Sequence, residues 1–293
     1  MYSAIAANKR NTLLIMVIFV AIIGALGWIL SNVLGNGQPF FLYGSLIFAL
    51  VYTLIQYFAA SKLAIAMNGA REIAKRDNPR LYRTVENLAI TTGLPMPKVY
   101  IIDDPAPNAF ATGRDPNHSH VAVSTGLLDT MNDIELEAVV AHELGHIQNY
   151  DIRVNMIVFG LVSAIGFIAD ILTHIIFWGG GDDEDRNPIF IILAIAAAIL
   201  APFVAFLVQM AVSRQREYLA DSTGAMTTRH PEGLASALEK IGQSGSAMRR
   251  QNTSTAHLFF VNPLKGKSFA KLFSTHPPLA DRIARLRTIG TKL

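Results

Sequence analysis

The 293-residue chain contains no cysteine. Disulfide bonds, thiolate metal sites and cysteine nucleophiles are therefore excluded, and a bound metal ion would need ligands from histidine, aspartate or glutamate. Charged residues are also scarce: they make up 16% of the chain, whereas about 25% is usual for soluble domains. The net charge is only +3, which is too small for a nucleic-acid-binding surface, so we expect no nucleic-acid partner.

The scarcity of charge is matched by 51% hydrophobic residues and a mean hydropathy of +0.34, the balance of a membrane protein. Four long apolar runs carry most of this excess: residues 13–34, 39–59, 154–178 and 188–212. Each run is long enough to cross a bilayer as a helix, which takes about 20 residues. Asp170 interrupts the third run and should face protein or water, since a charge facing lipid is costly. The sequence thus predicts about four transmembrane helices.

The charges that flank these runs predict their orientation. Basic residues precede the first run and follow the second, whereas the loop at residues 179–187 holds four acids and one arginine. Because basic flanks stay in the cytoplasm, the N-terminus, the 60–153 region and the C-terminal region are predicted to share the cytoplasmic side. The first run is too long for the apolar part of a cleaved signal peptide, so we expect it to remain as an anchor.

Between the second and third runs, the pattern predicts a helix, a small sheet and a second helix. Apolar spacing predicts a helix over residues 62–93, with Gly93 as its stop. Three short segments rich in β-branched residues are predicted strands, the last two forming a hairpin: Lys98–Asp103, Asn108–Gly113 and His120–Ser124. Asn132 is a predicted helix N-cap, and Glu135, three residues on, would complete a capping box.

The second predicted helix carries the sequence His-Glu-Leu-Gly-His at residues 142–146. Residues four apart lie on one face of a helix, roughly 5–6 Å from each other, so His142 and His146 can bind one zinc ion. Glu143 lies between them and can act as the general base toward a water molecule in the site. The pattern therefore predicts a zinc hydrolase centre.

A catalytic zinc ion needs a third protein ligand and an open position. The downstream candidates are Asp151, Glu217, Asp221, His230, His257 and His276. Glu217 and Asp221 are four apart, so one helix face can present Glu217 as the ligand and Asp221 as the acceptor of a ligand histidine N–H. Asp151 follows the zinc helix so closely that we do not expect it to fold back as a ligand.

Taken together, H-E-L-G-H, an apolar hairpin, R-E-Y-L-A-D and T-H-P-P-L-A-D-R-I resemble the HtpX family of membrane zinc metalloproteases, whose eukaryotic relatives are the CAAX prenyl proteases. The resemblance covers essentially the whole chain. It implies one Zn²⁺ per chain, bound by His142, His146 and Glu217, with Glu143 as the base and Asp221 behind the ligands. It also implies a mainly α membrane protein with a zincin-like α+β cytoplasmic protease domain and a small β-sheet.

This likeness divides the chain into two N-terminal transmembrane helices (1–61), a first protease segment (62–153), a hydrophobic hairpin (154–212) and a second protease segment (213–293). It further implies that N-A-F-A-T-G is an edge strand for extended substrates, with Asn108 binding a substrate carbonyl. His276 is expected to stabilise the oxyanion and Arg282 to clamp a carbonyl. The oligomeric state is left open.

The implied activity is cleavage of misfolded or damaged membrane proteins and unfolded polypeptides at the cytoplasmic face of a bacterial inner membrane, in quality control under stress. A CAAX-prenyl-protease-like processing peptidase is the nearer alternative, although its members have more spans. An intramembrane protease is disfavoured, because residues 129–153 are too polar for a lipid-exposed span. A structural zinc site is disfavoured too, since such sites are usually closed by four ligands, often cysteines.

Overall fold

The structure, a computed structural model, describes residues 2–33, 37–161, 163–164, 214–244, 247–250, 255–261 and 277–291. Within these ranges the chain is mainly helical and contains one four-stranded sheet. This agrees with the predicted combination of apolar helices with a small-sheet α+β unit. The fourth predicted span, most of the third and His276 lie outside the described residues.

Two long apolar helices open the chain, α1 (Tyr2–Val33) and α2 (Phe40–Met67). Both are long and apolar enough to cross a membrane, in agreement with the first two predicted spans. They pack side by side, and Gly24 of α1 lies so close to Leu46 of α2 that a Cβ atom at Gly24 would come within 2.7 Å of the leucine side chain. Small residues of this kind allow the close approach of membrane helices.

The predicted helix over residues 62–93 is wrong between residues 68 and 78, whereas residues 62–67 are helical as the end of α2. The chain turns at Gly69, whose φ of +65° favours glycine, and then forms strand β1 (Ala70–Glu72). Helix α3 begins only at residue 79 (Pro79–Thr92) and ends at Gly93 in the left-handed conformation, as predicted. The periodicity misled because Ala70–Glu72 pairs with a distant strand, and this tertiary pairing overrides local helix propensity.

The sheet has the order β1-β2-β4-β3. Its other strands are β2 (Lys98–Ile102), β3 (Ala109–Gly113) and β4 (Ser119–Ser124). As predicted, β3 and β4 form an antiparallel hairpin, joined by a short 3₁₀ turn at Pro116–His118. Strand β4 also pairs in parallel with β2, which leaves β3 at the edge of the described sheet.

The short helix α4 (Thr125–Thr130) leads to α5 (Asp133–Gln148), which carries the His-Glu-Leu-Gly-His sequence. The predicted capping box is confirmed: the Glu135 N–H donates to Asn132 Oδ1, and the Asn132 N–H donates to the Glu135 carboxylate, both at 2.9 Å. The same carboxylate accepts bonds from Ser236 and Lys240, each at 2.7 Å. Glu135 thus fixes both the start of α5 and its packing against a later helix.

Four further helical segments surround α5. They are α6 (residues 151–161), α7 (Arg214–Thr228), α8 (Pro231–Ser244) and α9 (Leu279–Gly290). The main core lies between the sheet, α3, α5 and α8, where residues such as Leu81, Val139 and Leu238 are fully buried. This core holds α5 rigidly at the centre of the described unit.

Helix α7 lies against α5 at a glycine contact. A Cβ atom at Gly224 would come within 3.0 Å of the His142 backbone nitrogen and 3.2 Å of its Cα, which is tighter than ordinary packing. The facing glycine, Gly145, has room for a Cβ, whose nearest neighbours would be 3.5 Å away. The separation of the two helices is therefore set at Gly224 and His142.

We expect Gly224→Ala to lower the thermal unfolding midpoint, because overpacking against a helix backbone typically costs about 1–3 kcal/mol. Gly145→Ala is the matched control, and it should be neutral or stabilising by up to ~1 kcal/mol, since alanine favours the helix and fits the space. Differential scanning fluorimetry of the detergent-purified proteins measures both. The opposite order of midpoints would contradict this account of the contact.

Candidate metal centre

Helices α5 and α7 bring the three predicted zinc ligands together. One nitrogen each of His142 and His146 and one carboxylate oxygen of Glu217 all lie within 4.8 Å of one another. His142 is fully buried and Glu217 is 7% exposed. Among the other candidate ligands, His230 Nδ1 accepts a bond from Gly233 N, and His257 Nε2 lies 3.3 Å from Asn155 O.

The two imidazoles are oriented by carboxylates behind them. His142 Nδ1 lies 3.0 Å from Asp221 Oδ1, and His146 Nδ1 lies 2.9 Å from Asp151 Oδ2. Because a carboxylate only accepts hydrogen bonds, each Nδ1 carries the proton and each Nε2 is left with a lone pair. The two Nε2 atoms face each other at 3.1 Å.

This geometry fits a zinc ion. Tetrahedral zinc with Zn–N distances of about 2.0–2.1 Å separates two nitrogens by roughly 3.3 Å, close to the observed 3.1 Å. Glu217 Oε1 lies 3.4 Å from His146 Nε2. Two histidines and one glutamate are the ligand set of an open catalytic zinc site.

The two predicted ligand histidines differ strongly in pKa. Burial lowers the pKa of His142 to about 4. Burial also lowers the pKa of His146, but the hydrogen bond to Asp151 and the charge of Glu217 outweigh it and raise that pKa to about 9. A cation that binds to both Nε2 atoms would therefore compete with protonation of His146.

Glu143 lies beside the ligands and is 2% exposed. Burial raises its pKa to about 7, with a smaller contribution from the charge of Glu217, while the charge of His146 lowers it. The nearby backbone N–H of Ala111 on β3 also lowers the pKa of Glu143. A carboxylate whose pKa lies near neutrality suits general acid–base catalysis.

Asp221 is held from the other side by Arg282. The guanidinium donates from Nε and Nη2 to the two carboxylate oxygens, at 2.9 and 2.6 Å, and Nη1 lies 3.6 Å from Glu217 Oε2. Burial raises the pKa of Asp221, but Arg282 and His142 lower it further, so it stays charged. Arg282 is fully buried, so its predicted contact with substrate stays a prediction.

Two roles were not expected from the sequence: that of Asp151, which was rejected as a zinc ligand, and that of Asn8. Tyr150 adopts a φ of 62°, and this left-handed turn returns Asp151 to His146, where it meets Nδ1 and not the metal position. The other Asp151 oxygen accepts a 2.6 Å bond from Asn8 Nδ2, which also donates to Asn149 O at 2.8 Å. Asn8 belongs to α1, so an apolar membrane helix supports a zinc ligand through one carboxylate.

The edge of β3 is partly occupied by residues 259–261. The Phe260 N–H donates to Ala109 O at 2.8 Å, and the Asn108 side chain pairs with both the C=O and the N–H of Val261, at 2.7 and 3.2 Å. The Phe260 ring lies 4.8 Å from the His142 ring. Asn108 thus binds extended backbone here, and its role toward substrate stays a prediction.

Comparison with known proteins gives concordant results. The profile of peptidase family M48 matches residues 75–290. The chain is 53% identical over 292 residues to a protease HtpX homolog of Tropheryma whipplei (strain Twist), covering 100% of this chain and 99% of that protein. It is 43% identical over 295 residues to the homolog of Dictyoglomus thermophilum, with coverages of 99% and 95%.

The crystal structure of S. mikatae Ste24p has a similar fold. The TM-score is 0.55 with 21% sequence identity, over 98% of this chain and 67% of that chain. At this level of identity the likeness is one of fold.

Replacing Asp151 with asparagine should weaken zinc binding by about 10–100-fold, the usual cost of losing an outer-shell partner of a ligand histidine. The exposed Asp129→Asn is the control for the loss of one negative charge and should bind zinc normally. Glu217→Gln should lose more affinity than either. Competition with a chromogenic chelator measures all three. Normal zinc binding by Asp151→Asn would contradict the role given to Asp151.

Proposed function

Since the chain belongs to peptidase family M48 and is a membrane-bound metalloprotease, we propose that it cleaves misfolded or damaged membrane proteins at the cytoplasmic face of a bacterial inner membrane. We further propose that it uses one zinc ion per chain, bound by His142, His146 and Glu217. The observation that carries the proposal is the cluster of these three side chains, of which His142 and Glu217 are buried and His146 is partly buried, with the buried Glu143 beside it.

When bound, zinc would lower the pKa of a water molecule and polarise the scissile carbonyl. Glu143 takes the proton of the attacking water and later passes it to the leaving amine, which its pKa of about 7 allows near neutral pH. Asp151 and Asp221 keep the two histidine rings oriented. His276, outside the described residues, is proposed to stabilise the oxyanion.

Substrate selection is proposed to depend on the edge of β3. An extended peptide adds to such an edge through backbone hydrogen bonds, which favours unfolded chains of many sequences. The bonds between residues 259–261 and the start of β3 support this, because this edge already accepts extended backbone. The influence of the Ala111 N–H on the pKa of Glu143 supports it too, since it indicates that the strand runs beside the proposed base. A substrate carbonyl that accepts a hydrogen bond from Asn108 Nδ2 would have to displace the carbonyl of Val261, which accepts that bond here.

Arg282 was expected to clamp a substrate carbonyl. Its burial and its two bonds to Asp221 favour a different role. We propose that it acts on the ligands through Asp221, by keeping that carboxylate charged and in place beside His142.

The proposed site lies at the level of the membrane surface. Basic side chains stack on aromatic rings near the ends of α1 and α2: Lys9 on Tyr150 at 4.6 Å, Arg114 on Phe58 at 5.0 Å and Arg153 on Tyr57 at 6.0 Å. Aromatic and basic residues concentrate at the bilayer–water interface. The hydrogen bonds from Asn8 through Asp151 to His146 support a metal centre close to this level, which would suit cleavage next to a membrane span.

Processing of CAAX prenyl substrates is the alternative. The similarity to Ste24p concerns the fold, whereas the chain matches protease HtpX homologs over its full length. A comparison of a farnesylated CAAX peptide with an unfolded protein as substrates separates the two activities.

We expect Glu143→Ala to retain one zinc ion per chain and its fold but to lose about 10²–10⁴-fold of its proteolytic activity, the usual contribution of general acid–base catalysis. His142→Ala should lose both zinc and activity. Metal analysis and casein digestion by the detergent-purified proteins test this difference. Near-normal digestion by the Glu143→Ala variant would refute the proposed mechanism.

Single introduced cysteines test whether the protease domain lies in the cytoplasm. The chain has no cysteine of its own, so only the introduced residue can be labelled in this protein. Gln38→Cys, between α1 and α2, should react with a membrane-impermeant maleimide in intact cells or spheroplasts. Asn87→Cys, exposed on α3, should react only after the membrane is opened. The reverse labelling pattern would place the protease on the outer side.

A further inference from the structure

A second cavity lies apart from the metal centre, between the last turns of α2 and the sheet. Its volume is about 690 Å³. One wall consists of Phe58, Ser61, Lys62 and Ile65, which form one face of α2. The other walls are formed by strands β1, β2 and β4 and by the loop at residues 114–119. No zinc ligand is among the described residues that line it.

The lining of this cavity is cationic. Lys62, Lys98 and Arg114 face one carboxylate, Glu72, which leaves an excess of two positive charges when the lining histidines are neutral. Lys98 is paired with Glu72 at 3.0 Å, and Arg114 Nε lies 3.5 Å from Asp115 Oδ2. Among the described residues Lys62 has no carboxylate within 4.0 Å, so at least this charge is available to an anion.

The cavity also contains polar groups that suit an anionic headgroup. His120 Nδ1 is buried and has no hydrogen-bond partner among the described residues. Ser61, Asn117 and Ser119 add hydroxyl and amide groups to the lining. Such groups donate readily to phosphate and glycerol oxygens.

An apolar stripe on α2 leads into the cavity. Ile47, Val51, Leu54 and Phe58 follow one another at helical spacing and are 48–63% exposed. The stripe continues as Ser61, Lys62 and Ile65 in the cavity wall. The surface therefore changes from apolar to cationic at Phe58, where the Arg114 guanidinium stacks on the ring at 5.0 Å.

We propose that this cavity binds the headgroup of an anionic phospholipid, whose acyl chains lie along the stripe on α2. A free phosphate ion would use the cations but not the stripe, and an apolar ligand would use the stripe but not the cations. An anionic lipid matches both, and it is present where α2 leaves the bilayer. Juxtamembrane basic residues each contribute roughly 1 kcal/mol to anionic-lipid attraction.

A bound headgroup would be connected to the protease edge strand. Arg114 directly follows the last residue of β3, and its backbone carbonyl accepts a hydrogen bond from Arg153 of α6. The lipid would therefore hold the end of β3 at a fixed height above the bilayer. Binding of the lipid headgroup would thus be a function separate from catalysis at the metal centre.

The test is lipid retention by the full-length protein in detergent, measured by native mass spectrometry with added phosphatidylglycerol or phosphatidylcholine. The wild-type protein should retain phosphatidylglycerol preferentially. The double variant Lys62→Gln/Arg114→Gln should bind it about 30-fold more weakly, at roughly fivefold for each basic residue. The control Lys75→Gln/Arg83→Gln removes the same charge from exposed positions that do not line the cavity and should behave as wild type.

Equal retention by all three proteins, or no preference for the anionic lipid, would overturn the proposal. Displacement of the lipid by millimolar inorganic phosphate would assign the cavity to a soluble anion, and displacement by an unfolded polypeptide would assign it to substrate. Zinc content verifies that the double variant is folded. If it is not, Lys62→Gln alone, at an exposed position, should still give about a fivefold loss.

Discussion

The described structure depends on two imidazole nitrogens that face each other at 3.1 Å. Two lone pairs at this distance repel unless a proton or a metal ion lies between them, so each ring must be held from behind. Asp221 holds His142 and is itself held by Arg282 of α9. Asp151 holds His146 and is itself held by Asn8 of α1. Helices from both ends of the chain thus meet at one metal position.

The charges at this centre, like its geometry, favour a bound divalent cation. Four buried carboxylates, Asp151, Glu217, Asp221 and Glu143, are opposed by two guanidiniums, Arg216 and Arg282. With both histidines neutral, two negative charges remain when all four acids are ionised, and unpaired buried charges are costly. A divalent cation supplies the missing charge. The raised pKa values of His146 and Glu143 reflect the same excess of negative charge, since the charge of Glu217 contributes to both.

The membrane helices contribute to chemistry as well as to anchoring. Asn8 reaches the carboxylate behind a zinc ligand, and Phe58 and Lys62 lead from the apolar surface of α2 into a cationic cavity. Both contacts lie where basic side chains stack on aromatic rings, as at Lys9 and Tyr150. Side chains therefore connect the candidate metal centre and the cavity to the two long apolar helices, which suits the proposed cleavage of membrane proteins.

The sequence by itself determined the elements that depend on near neighbours. Helical spacing and the capping box defined α5, β-branched runs defined β2 to β4, and a spacing of four placed the histidines on one face. Only the tertiary structure decided contacts between distant residues. Ala70–Glu72 is a strand because β2 pairs with it, and Asn8 meets Asp151 across 143 positions. The periodicity of apolar residues predicts which residues share one face of a helix or strand. It does not predict which distant segment packs against that face, because that depends on long-range packing.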